Sequence, residues 1–490
     1  MCGIAGLVVS RETRPPALSE LEAMVAVLGH RGPDGYGLYR DARAGLGHAR
    51  LSIIDLAGGA QPMCNEDESL WVTFNGEIFN YVELRAELEA LGHVFRTRSD
   101  TEAIVHAFEQ WGEGAWARFN GQFAVALWDA RRKQLVLARD QFGIVPLFYA
   151  CGENAIVFAS EVKALFAAGR LAPKFDPAAL VHIFTRWAVP APGSPFAGVA
   201  CVAPGHAVTI TEDLGITSKA WWQPDFTPRF ARGIADLDEA TDALEERLKA
   251  AVAIRLRADV PVGAYLSGGL DSSLVTALIQ RSRTSHLETF SIRFEDAAFD
   301  ETPQQRRMVE QLQTRHHDVL VSGHDIARHF PQVVKHCETP LLRTSPVPLF
   351  LLSDLVRGNG TKVVLTGEGA DELFAGYSIF KEDAIRRFWA RSPSTDWRSA
   401  LLSRVHHYVG DQHDGRMWKQ FFRKGLTETD NPFYSHGVRW ANTAWTTRFL
   451  KRDLIADVDA AALESDLEPF RLRWKHSRRF AGSCGTRCWG

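Results

Sequence analysis

Cys2 is the residue of this chain whose type and position point most directly to chemistry. A small second residue usually allows removal of the initiator methionine, which would leave a thiol and a free α-amine on one residue. An unperturbed thiol has a pKa of about 8.5 and an α-amine one of about 7.7–8.0, so the amine can accept the thiol proton as attack begins. The expected reaction is nucleophilic attack on an amide or ester carbonyl, although a cysteine at this position can also be accidental.

Residues 267–273, Ser-Gly-Gly-Leu-Asp-Ser-Ser, have the composition of a phosphate-binding loop. They lie between a predicted strand at 260–266 and an apolar helix that runs through Ile279. Glycines let the backbone approach a phosphate, while the helix N-terminus and the hydroxyl groups donate hydrogen bonds to it. Because no Gly-Lys-Ser/Thr is present, we expect cleavage between the α- and β-phosphates of a nucleoside triphosphate, with pyrophosphate leaving. The alternative is an ordinary turn with Ser272 as the helix N-cap.

A second loop, Thr-Gly-Glu-Gly-Ala-Asp-Glu at residues 366–372, places carboxylates after another apolar strand. Carboxylates beside a triphosphate repel it unless a metal ion lies between them. Asp271 and Asp371 are therefore candidate Mg²⁺ ligands. A solvated acidic turn that caps the next helix is the alternative.

The elements that position these residues divide the chain in two. Short β-rich runs at 4–9, 70–75, 122–128, 134–138 and 156–159, with helical patterns at 81–91 and 101–111, predict a layered α+β domain up to about residue 208. The segment Trp-Trp-Gln-Pro-Asp-Phe-Thr-Pro at 221–228 breaks both periodicities and predicts a linker.

After the linker, strands and helices alternate. An amphipathic helix is predicted at 236–257, with leucines at 237, 244 and 248 on related turns. Strands are predicted at 260–266, 287–294, 318–321 and 362–366, which is the pattern of a parallel sheet. Ligands of such sheets bind at the carboxyl ends of strands, where both loops lie.

Composition limits the class of protein and its partners. A chain of 490 residues is predicted to form two or three domains, and its 46% hydrophobic and 23% charged residues are typical of a soluble globular protein. A net charge of −3 argues against nucleic acid as a partner. We expect no signal peptide and no membrane span, because the sequence has no apolar segment typical of either. We also expect a cytoplasmic location, because the seven cysteines show no disulfide-like spacing.

A series of short motifs carries a family resemblance. The motifs are Cys-Gly-Ile-Ala-Gly at 2–6, Arg-Gly-Pro-Asp-Gly at 31–35, His-Ala-Arg-Leu-Ser-Ile-Ile-Asp at 48–55, Phe-Asn-Gly-Glu-Ile at 74–78, Ser-Asp-Thr-Glu at 99–102, the loop at 267–273, and Gly-Glu-Gly-Ala-Asp-Glu-Leu-Phe-Ala-Gly-Tyr at 367–377. In this order, the first five resemble the motifs of class II glutamine amidotransferases, and with the two loops the chain resembles the glutamine-hydrolysing asparagine synthetases.

The resemblance implies a fold and a division into domains. Residues 1–222 would form an N-terminal nucleophile hydrolase sandwich with αββα layers, and residues 223–235 a linker. Residues 236–469 would form an α/β parallel-sheet ATP-pyrophosphatase domain of the adenine nucleotide α-hydrolase-like type. The implied substrates are L-glutamine, L-aspartate and ATP with Mg²⁺, and assembly as a homodimer is left open.

For the first domain, the resemblance implies that Cys2 attacks the side-chain amide of glutamine and forms a γ-glutamyl thioester that water hydrolyses. The Asn75 side chain and the Gly76 N–H would form the oxyanion hole. Arg50 would bind the α-carboxylate, with a surface ion pair as its alternative role. The predicted capping box of Ser99 and Glu102 leaves Asp100 free for substrate. The other implied glutamine contacts are Leu51, Ser52, Ile53, Ile54 and Glu77.

For the second domain, the resemblance implies a β-aspartyl-adenylate that ammonia from the first site attacks. Glu368 would act in forming and resolving this intermediate, as a base toward ammonia. The implied ATP-binding residues are Leu266, Ser267, Gly268, Gly269, Asp271, Ser272, Ser273, Ile292, Thr366 and Gly367.

The chain departs from the family after Trp445. Family members usually continue with a segment Arg-x-Pro-Phe-Leu-Asp and a later lysine that contacts ATP phosphates, and neither is found here. Residues 470–490 form an atypical tail without periodicity. We therefore expect a complete glutaminase half and a synthetase half that is shortened at its C-terminus, as a frame shift would produce. The alternatives are a biosynthetic amidotransferase that acts on another carboxylate, and a truncated nucleotide-binding or regulatory protein that keeps only glutaminase activity.

Overall fold

The first half of the chain forms two six-stranded antiparallel sheets with helices on their outer faces. The computed structural model describes residues 1–224, 236–282, 286–405 and 415–468. The first sheet has the order β10-β8-β9-β1-β3-β2 and the second the order β12-β11-β7-β6-β5-β4. The strands are β1 Gly3–Val9, β2 Gly35–Arg40, β3 Ala44–Arg50, β4 Met63–Cys64, β5 Leu70–Ile78, β6 Gly121–Asp129, β7 Gln134–Arg139, β8 Phe148–Gly152, β9 Ala155–Ala159, β10 Val199–Cys201, β11 His206–Ile210 and β12 Ile216–Ala220.

Alternating side chains explain why these strands are apolar on both faces. On β1, Ile4 and Val8 enter the core between the sheets, while Leu7 and Val9 face the helices of the first sheet. Every residue of β1 is buried. The outer layers consist of α1 (Leu18–Ala26) and α4 (Val162–Ala167) on one side, and of α2 (Tyr81–Ala90) and α3 (Asp100–Trp111) on the other, while α5 (Pro177–Arg186) contacts helices of the second half of the chain. The predicted αββα sandwich is confirmed.

The second half is built on a four-stranded parallel sheet of order β15-β14-β13-β16. Its strands are β13 (Val262–Tyr265), β14 (Glu288–Phe294), β15 (Arg315–Val321) and β16 (Val363–Leu365). One face packs on α6 (Leu237–Arg255) and α7 (Leu270–Arg281), and the other on α10 (Pro346–Gly358). The remaining helices are α8 Thr302–Leu312, α9 Gly323–Cys337, α11 Ala370–Phe374, α12 Ser378–Ala390, α13 Asp396–Ala400, α14 Gly415–Arg423, α15 Tyr434–Thr443, α16 Arg452–Ile455 and α17 Ala460–Ser465.

The predicted helix at 236–257 is observed as α6, but it has a buried face only in its second half. Leu237 is 80% exposed and Leu244 38% exposed, whereas Val252 is buried. Leu248 and Leu256 pack with Val252 against the sheet core, so the buried stripe belongs to the last turns of the helix. The spacing of the leucines indicated the helix, but it did not show which of its turns pack on the sheet.

Some predictions concern residues outside the described ranges. The predicted linker is described only at Gln223 and Pro224, and the predicted tail at 470–490 lies beyond the described residues altogether. Among the helices that are described, none combines the length and hydropathy needed to cross a membrane.

Candidate functional site

The thiol of Cys2 lies immediately before β1, against the loop that follows β3. The Leu51 N–H donates to Cys2 Sγ at 3.3 Å, and the thiol faces the Leu51 carbonyl oxygen at 3.5 Å. Arg31 Nε donates to the carbonyl oxygen of Cys2 at 2.9 Å, and Glu161 in turn accepts from Arg31 Nη1 at 2.7 Å. The backbone on both sides of the thiol is therefore fixed.

Burial sets the protonation of this terminus. It raises the pKa of the Cys2 thiol, an effect that the Leu51 N–H and the N-terminal charge only partly offset. It also lowers the pKa of the α-amine, which belongs to Met1 in this structure. An amine with a lowered pKa is more often neutral near pH 7 and can accept a proton. Removal of Met1 stays a prediction.

Asn75 and Gly76 lie on β5, in the sheet opposite Cys2. The Asn75 side chain has no exposed surface, and neither its amide nitrogen nor its amide oxygen has a hydrogen-bond partner. A buried amide without partners costs about 1–3 kcal/mol, so it needs an explanation. Gly76 has a φ of +144°, and a Cβ there would lie 1.9 Å from the Gln122 carbonyl oxygen, so only glycine fits.

Two carboxylates, the half-buried Glu77 and the buried Asp100, face the same region without an ion-pair partner among the described residues. Burial, together with the charge of Asp100, raises the pKa of Glu77 to about 8. Burial raises the pKa of Asp100 to about 6, although the Ile78 N–H donates to Asp100 Oδ2 at 3.0 Å. A pair of uncompensated carboxylates is a receptor for a cation such as an α-ammonium group.

Arg50 ends β3 and contacts backbone rather than carboxylate. Its guanidinium donates to the carbonyl oxygens of Asp55 at 2.7 Å and Leu56 at 3.2 Å. It takes part in no ion pair among the described residues, so the alternative of a surface ion pair is wrong. The charges of Arg50 and Asp100 both act on the pKa of the Cys2 thiol, which places the predicted glutamine contacts around that residue.

The predicted capping box of Ser99 and Glu102 is wrong. Ser99 Oγ accepts from the Thr101 N–H at 3.2 Å, two residues on. Glu102 instead accepts from the N–H groups of Arg96 and Thr97, at 2.7 Å each. The carboxylate thus holds the preceding loop, because that loop folds back on the first turn of α3. Asp100 is the first residue of α3 and is not its cap.

Gln61 is a positioning residue that the sequence did not single out. It is buried, and its Oε1 accepts from the Phe74 N–H at 2.7 Å, one residue before Asn75. Its Nε2 donates to Thr101 Oγ1 at 3.1 Å, one residue after Asp100. Gln61 therefore links the strand of Asn75 to the helix of Asp100, and no local pattern marks it.

In the second domain, the loop at 267–273 joins β13 to α7. Ser272 Oγ lies 2.9 Å from Ser267 Oγ and accepts from the Ser267 N–H at 3.1 Å. Gly269 is the N-cap, so the alternative with Ser272 as N-cap is wrong. Gly268 has a φ of +84° beside α8. The loop wraps around a helix N-terminus, which is the arrangement that binds phosphate.

The acidic loop packs directly against the phosphate loop. A Cβ on Gly367 would lie 2.9 Å from both Asp271 Cβ and the Ser272 nitrogen. Both loops line one cavity of about 400 Å³ at the carboxyl ends of the strands. Of the predicted residues, the following line it: Leu266, Ser267, Asp271, Ser272, Ile292, Thr366, Gly367, Glu368 and Asp371. Gly268, Gly269 and Ser273 lie on the same loop but are not part of its described lining.

The cavity wall also contains residues that the sequence did not single out. They come from strand ends and from α8, α10 and the end of the acidic loop, and only folding brings them together. Gln305 Nε2 donates to the Ile292 carbonyl oxygen at 2.9 Å. The lining residues missed are Tyr265, Phe290, Ser291, Phe294, Phe299, Glu301, Gln305, Leu349, Leu352, Gly369, Glu372 and Tyr377.

The two domains meet at the loop that holds Cys2. The Asp259 N–H donates to the Ile53 carbonyl oxygen at 3.0 Å, and Asp259 Oδ2 accepts from the Asp55 N–H at 2.7 Å. Lys362 Nζ lies 2.6 Å from Asp34 Oδ2, which also accepts from the Ser52 N–H at 2.8 Å. Although burial opposes it, the hydrogen bond from Lys362 lowers the pKa of Asp34.

Comparison with known proteins supports the predicted family resemblance of both halves of the chain. A glutamine amidotransferase domain model matches residues 1–222, and an asparagine synthase model matches residues 243–469. "Asparagine synthetase [glutamine-hydrolyzing] 1" of Bacillus subtilis (strain 168) is 35% identical, over 87% of this chain and 66% of the relative. A "Putative asparagine synthetase [glutamine-hydrolyzing]" of Mycobacterium tuberculosis (strain ATCC 25618 / H37Rv) is 37% identical, over 96% of this chain and 79% of the relative.

This chain belongs to the glutamine-hydrolysing asparagine synthetase family. The resemblance predicted from its motifs is confirmed. "Amidase chry2" of Gibberella zeae is 31% identical over 89% of this chain and 68% of its own length. The chain spans about two thirds of the length of these first relatives.

Proposed function

We propose that this chain transfers the amide nitrogen of glutamine to the β-carboxylate of L-aspartate, driven by conversion of ATP to AMP and pyrophosphate. The observation that carries the proposal is the Asn75 side-chain amide, which is buried and unpartnered next to Gly76. A preformed donor of this kind stabilises an oxyanion without reorganisation, and one such donor contributes about 2.7–4 kcal/mol in acyl transfer. The family membership of both halves supports the rest.

The first reaction follows from the groups around Cys2. The thiolate attacks Cδ, the carbonyl carbon of the glutamine side-chain amide, and the oxygen that becomes negative accepts from Asn75 Nδ2 and the Gly76 N–H. The thiol proton passes through the terminal amine to the departing nitrogen, which leaves as ammonia. Water then hydrolyses the γ-glutamyl thioester and releases glutamate with the thiol restored.

Glu77 and Asp100 bind the α-ammonium group of glutamine in this proposal. Burial raises the pKa of both carboxyl groups, and the charge of Asp100 raises that of Glu77 further, although the N-terminal charge and Arg255 partly offset the effect at Glu77. The ligand's own charge compensates them, which gives binding and also selects an α-amino acid over a simple amide. Arg50 contributes at the α-carboxylate, with the backbone of Leu51, Ser52, Ile53 and Ile54 along the side of the substrate.

The second reaction uses the cavity between the two loops. The β-carboxylate of aspartate attacks the α-phosphorus of ATP, so that pyrophosphate leaves and β-aspartyl-AMP forms. Ammonia then attacks the acyl carbon, AMP leaves, and Glu368 accepts the proton that the nitrogen loses. Ser267, Ser272 and the N–H groups at the start of α7 bind the pyrophosphate.

The lining of this cavity fits a divalent cation. Its described residues include the carboxylates of Asp271, Glu301, Glu368, Asp371 and Glu372 but no lysine, arginine or histidine. A triphosphate cannot approach such a wall without a cation, and carboxylate oxygens are ligands that Mg²⁺ prefers. Asp271 and Asp371 would hold the ion, which neutralises phosphate charge when bound. The cytoplasmic location and a homodimer stay predictions.

The test is a product balance on the purified chain. With glutamine, aspartate, ATP and Mg²⁺, we expect asparagine, glutamate, AMP and pyrophosphate in comparable amounts. The Cys2→Ala variant should make asparagine from ammonium ions but not from glutamine. If neither nitrogen source gives asparagine while glutamate is still released, the chain is a glutaminase that lacks the second activity.

A second candidate is amidation of a carboxylic acid other than aspartate. The absence of a cationic side chain from the described lining favours it, because the α-carboxylate of aspartate has no partner there. Exchange of labelled pyrophosphate into ATP across a panel of acids decides between them. Exchange that requires aspartate supports the first candidate, whereas exchange with another acid alone supports the second.

A further inference from the structure

A cluster of histidine and glutamate side chains lies on the outer face of the first domain, outside the glutamine site. Three separate segments supply it. Glu66 comes from the turn between β4 and β5, His93 from the loop between α2 and α3, and His106 and Glu109 from one face of α3. The first three present ligand atoms that all lie within 4.8 Å of one another.

The spacing of the ligand atoms suits a small metal ion. His106 Nδ1 lies 3.7 Å from a Glu66 oxygen and 3.6 Å from Glu109 Oε2, which is also 3.6 Å from His93 Nδ1. A tetrahedron with the 2.0–2.2 Å bonds of zinc has edges of about 3.3–3.6 Å. These three distances lie within a few tenths of an ångström of such edges, and the ligand atoms of Glu66, His93 and His106 all lie within 4.8 Å of one another.

His106 supplies the independent sign of a ligand. Its side chain is only 1% exposed, and neither ring nitrogen has a hydrogen-bond partner. Buried polar side chains are nearly always partnered, so an orphan of this kind needs an explanation. A metal ion bound to Nδ1 would satisfy the ring, because Nδ1 is the nitrogen that faces Glu66 and Glu109.

The carboxylate and ring atoms of the cluster that face away from its centre contact neighbouring polar groups, as such atoms do in known metal sites. Glu66 Oε1 accepts from the Val94 N–H at 3.1 Å, and Glu109 Oε1 accepts from Asn65 Nδ2 at 3.2 Å. His93 Nε2 lies 3.0 Å from Gln110 Oε1, whereas His106 Nε2, at 3.7 Å from Glu102 Oε1, is beyond hydrogen-bond distance. Metal-ligating histidines usually donate their second ring N–H to such an oxygen, which fixes the tautomer and leaves the other nitrogen for the metal.

We propose that Glu66, His93, His106 and Glu109 bind a divalent transition-metal ion with a structural role, with Zn²⁺ as the best fit. Two imidazoles favour zinc over Mg²⁺ or Ca²⁺, and four protein ligands close the coordination as in structural sites. The ion would join the turn before β5 to the loop and helix on either side of Asp100. This role is additional to the proposed function, since α3 would be fixed whether or not glutamine is bound.

The test uses the full chain after removal of metals with a chelator. In a Cys2→Ala background, we expect one Co²⁺ per chain with the visible absorption of a tetrahedral ion and no thiolate charge-transfer band. Zn²⁺ should displace it and raise the thermal midpoint. His93→Asn and Glu109→Gln should lose both the absorption and the thermal shift, and Gln110→Leu should weaken binding about 10–100-fold.

Matched controls keep the test decisive. His206→Asn and Glu113→Gln change a half-buried histidine on β11 and a glutamate one turn beyond Glu109, and both variants should bind as the parent does. Circular dichroism without metal checks that His93→Asn and Glu109→Gln are folded. If the stripped chain binds neither ion, or if binding persists in those two variants, the cluster is a set of ion pairs and the proposal is wrong.

Discussion

Asp100→Asn should make the protein more stable and a poorer glutaminase. Burial raises the pKa of Asp100 from 3.8 to about 6. Because the folded state favours the protonated carboxyl group, the contribution of Asp100 to the free energy of unfolding is complete below the unfolded-state pKa. This contribution is lost as pH rises through the folded-state pKa. At 1.36 kcal/mol per pH unit, ionised Asp100 lowers the free energy of unfolding by about 3 kcal/mol at pH 8.

Asparagine removes this charge and keeps the shape. Its amide oxygen can still accept from the Ile78 N–H, which donates to Asp100 at 3.0 Å. At pH 5, only about 1.6 kcal/mol of the penalty applies to the parent, so the gain should be roughly 1.4 kcal/mol smaller than at pH 8. A gain of about 3 kcal/mol corresponds to a rise of about 6–12 °C in thermal midpoint for a domain of this size.

Glutamine binding should weaken in the same variant. Loss of one partner of a buried charge pair costs about 2 kcal/mol or more, so the KM for glutamine should rise at least about 30-fold with a smaller change in kcat. In the parent, the KM should fall as pH rises from 6 to 8, because Glu77 and Asp100 bind an ammonium group only when they are ionised.

Asp140→Asn is the matched control. Asp140 is equally buried, but its two oxygens accept from four backbone N–H groups, at Phe142, Ile144, Phe123 and Val145. An amide nitrogen there would face donors, so this variant should lose stability at both pH values. If Asp100→Asn also loses stability at pH 8, or if its KM for glutamine is unchanged, Asp100 is a structural carboxylate and the reasoning fails.

Three further predictions concern the oxyanion donor, the phosphate loop and the domain interface. Asn75→Ala should lower the kcat of glutamine hydrolysis about 10²–10³-fold with little change in KM, measured as glutamate release, and an unchanged kcat would contradict its role. Ser272→Ala should raise the KM for ATP in asparagine formation from ammonium ions and leave glutamine hydrolysis at the parent rate, which serves as its internal control. Lys362→Met should change the free energy of unfolding by less than about 1 kcal/mol, because Lys362 and Asp34 are 35% and 27% exposed. The yield of asparagine per glutamine hydrolysed should nevertheless fall. An equal yield in the parent and in Lys362→Met would show that this interface does not couple glutamine hydrolysis to asparagine formation.

The sequence could indicate candidate reactive residues because their motifs are local. Cys2 and Gly76 stand in short segments whose residue types suffice, and the φ of +144° at Gly76 gives the physical reason for its glycine. The two layers of strands and the parallel sheet were also predictable, since burial on both faces produces continuous apolar runs. Gln61 was missed because its two partners, at 74 and 101, become its neighbours only after folding.

The wrong and the incomplete predictions have the same origin. Ser99 and Glu102 have the spacing of a capping box, yet Glu102 binds the N–H groups at 96 and 97 because the chain doubles back there. The leucines of α6 have helical spacing, yet the sheet touches only the last turns of that helix. Spacing along one element shows which side chains share a face, but it does not show where along that face another element ends.

The domain interface connects the two sites through one short strand. The loop at 51–54 contacts Cys2 at Leu51 and the second domain at Ile53, while Lys362 contacts Asp34 beside Ser52. Lys362 immediately precedes β16, whose carboxyl end carries Thr366 and the acidic loop. At about 3.3 Å per residue, roughly 13 Å of extended chain separates the ion pair from that loop. A displacement of the loop at 51–54 can therefore be transmitted through extended backbone to the ATP cavity. The yield of asparagine per glutamine hydrolysed in Lys362→Met tests whether the protein uses this connection.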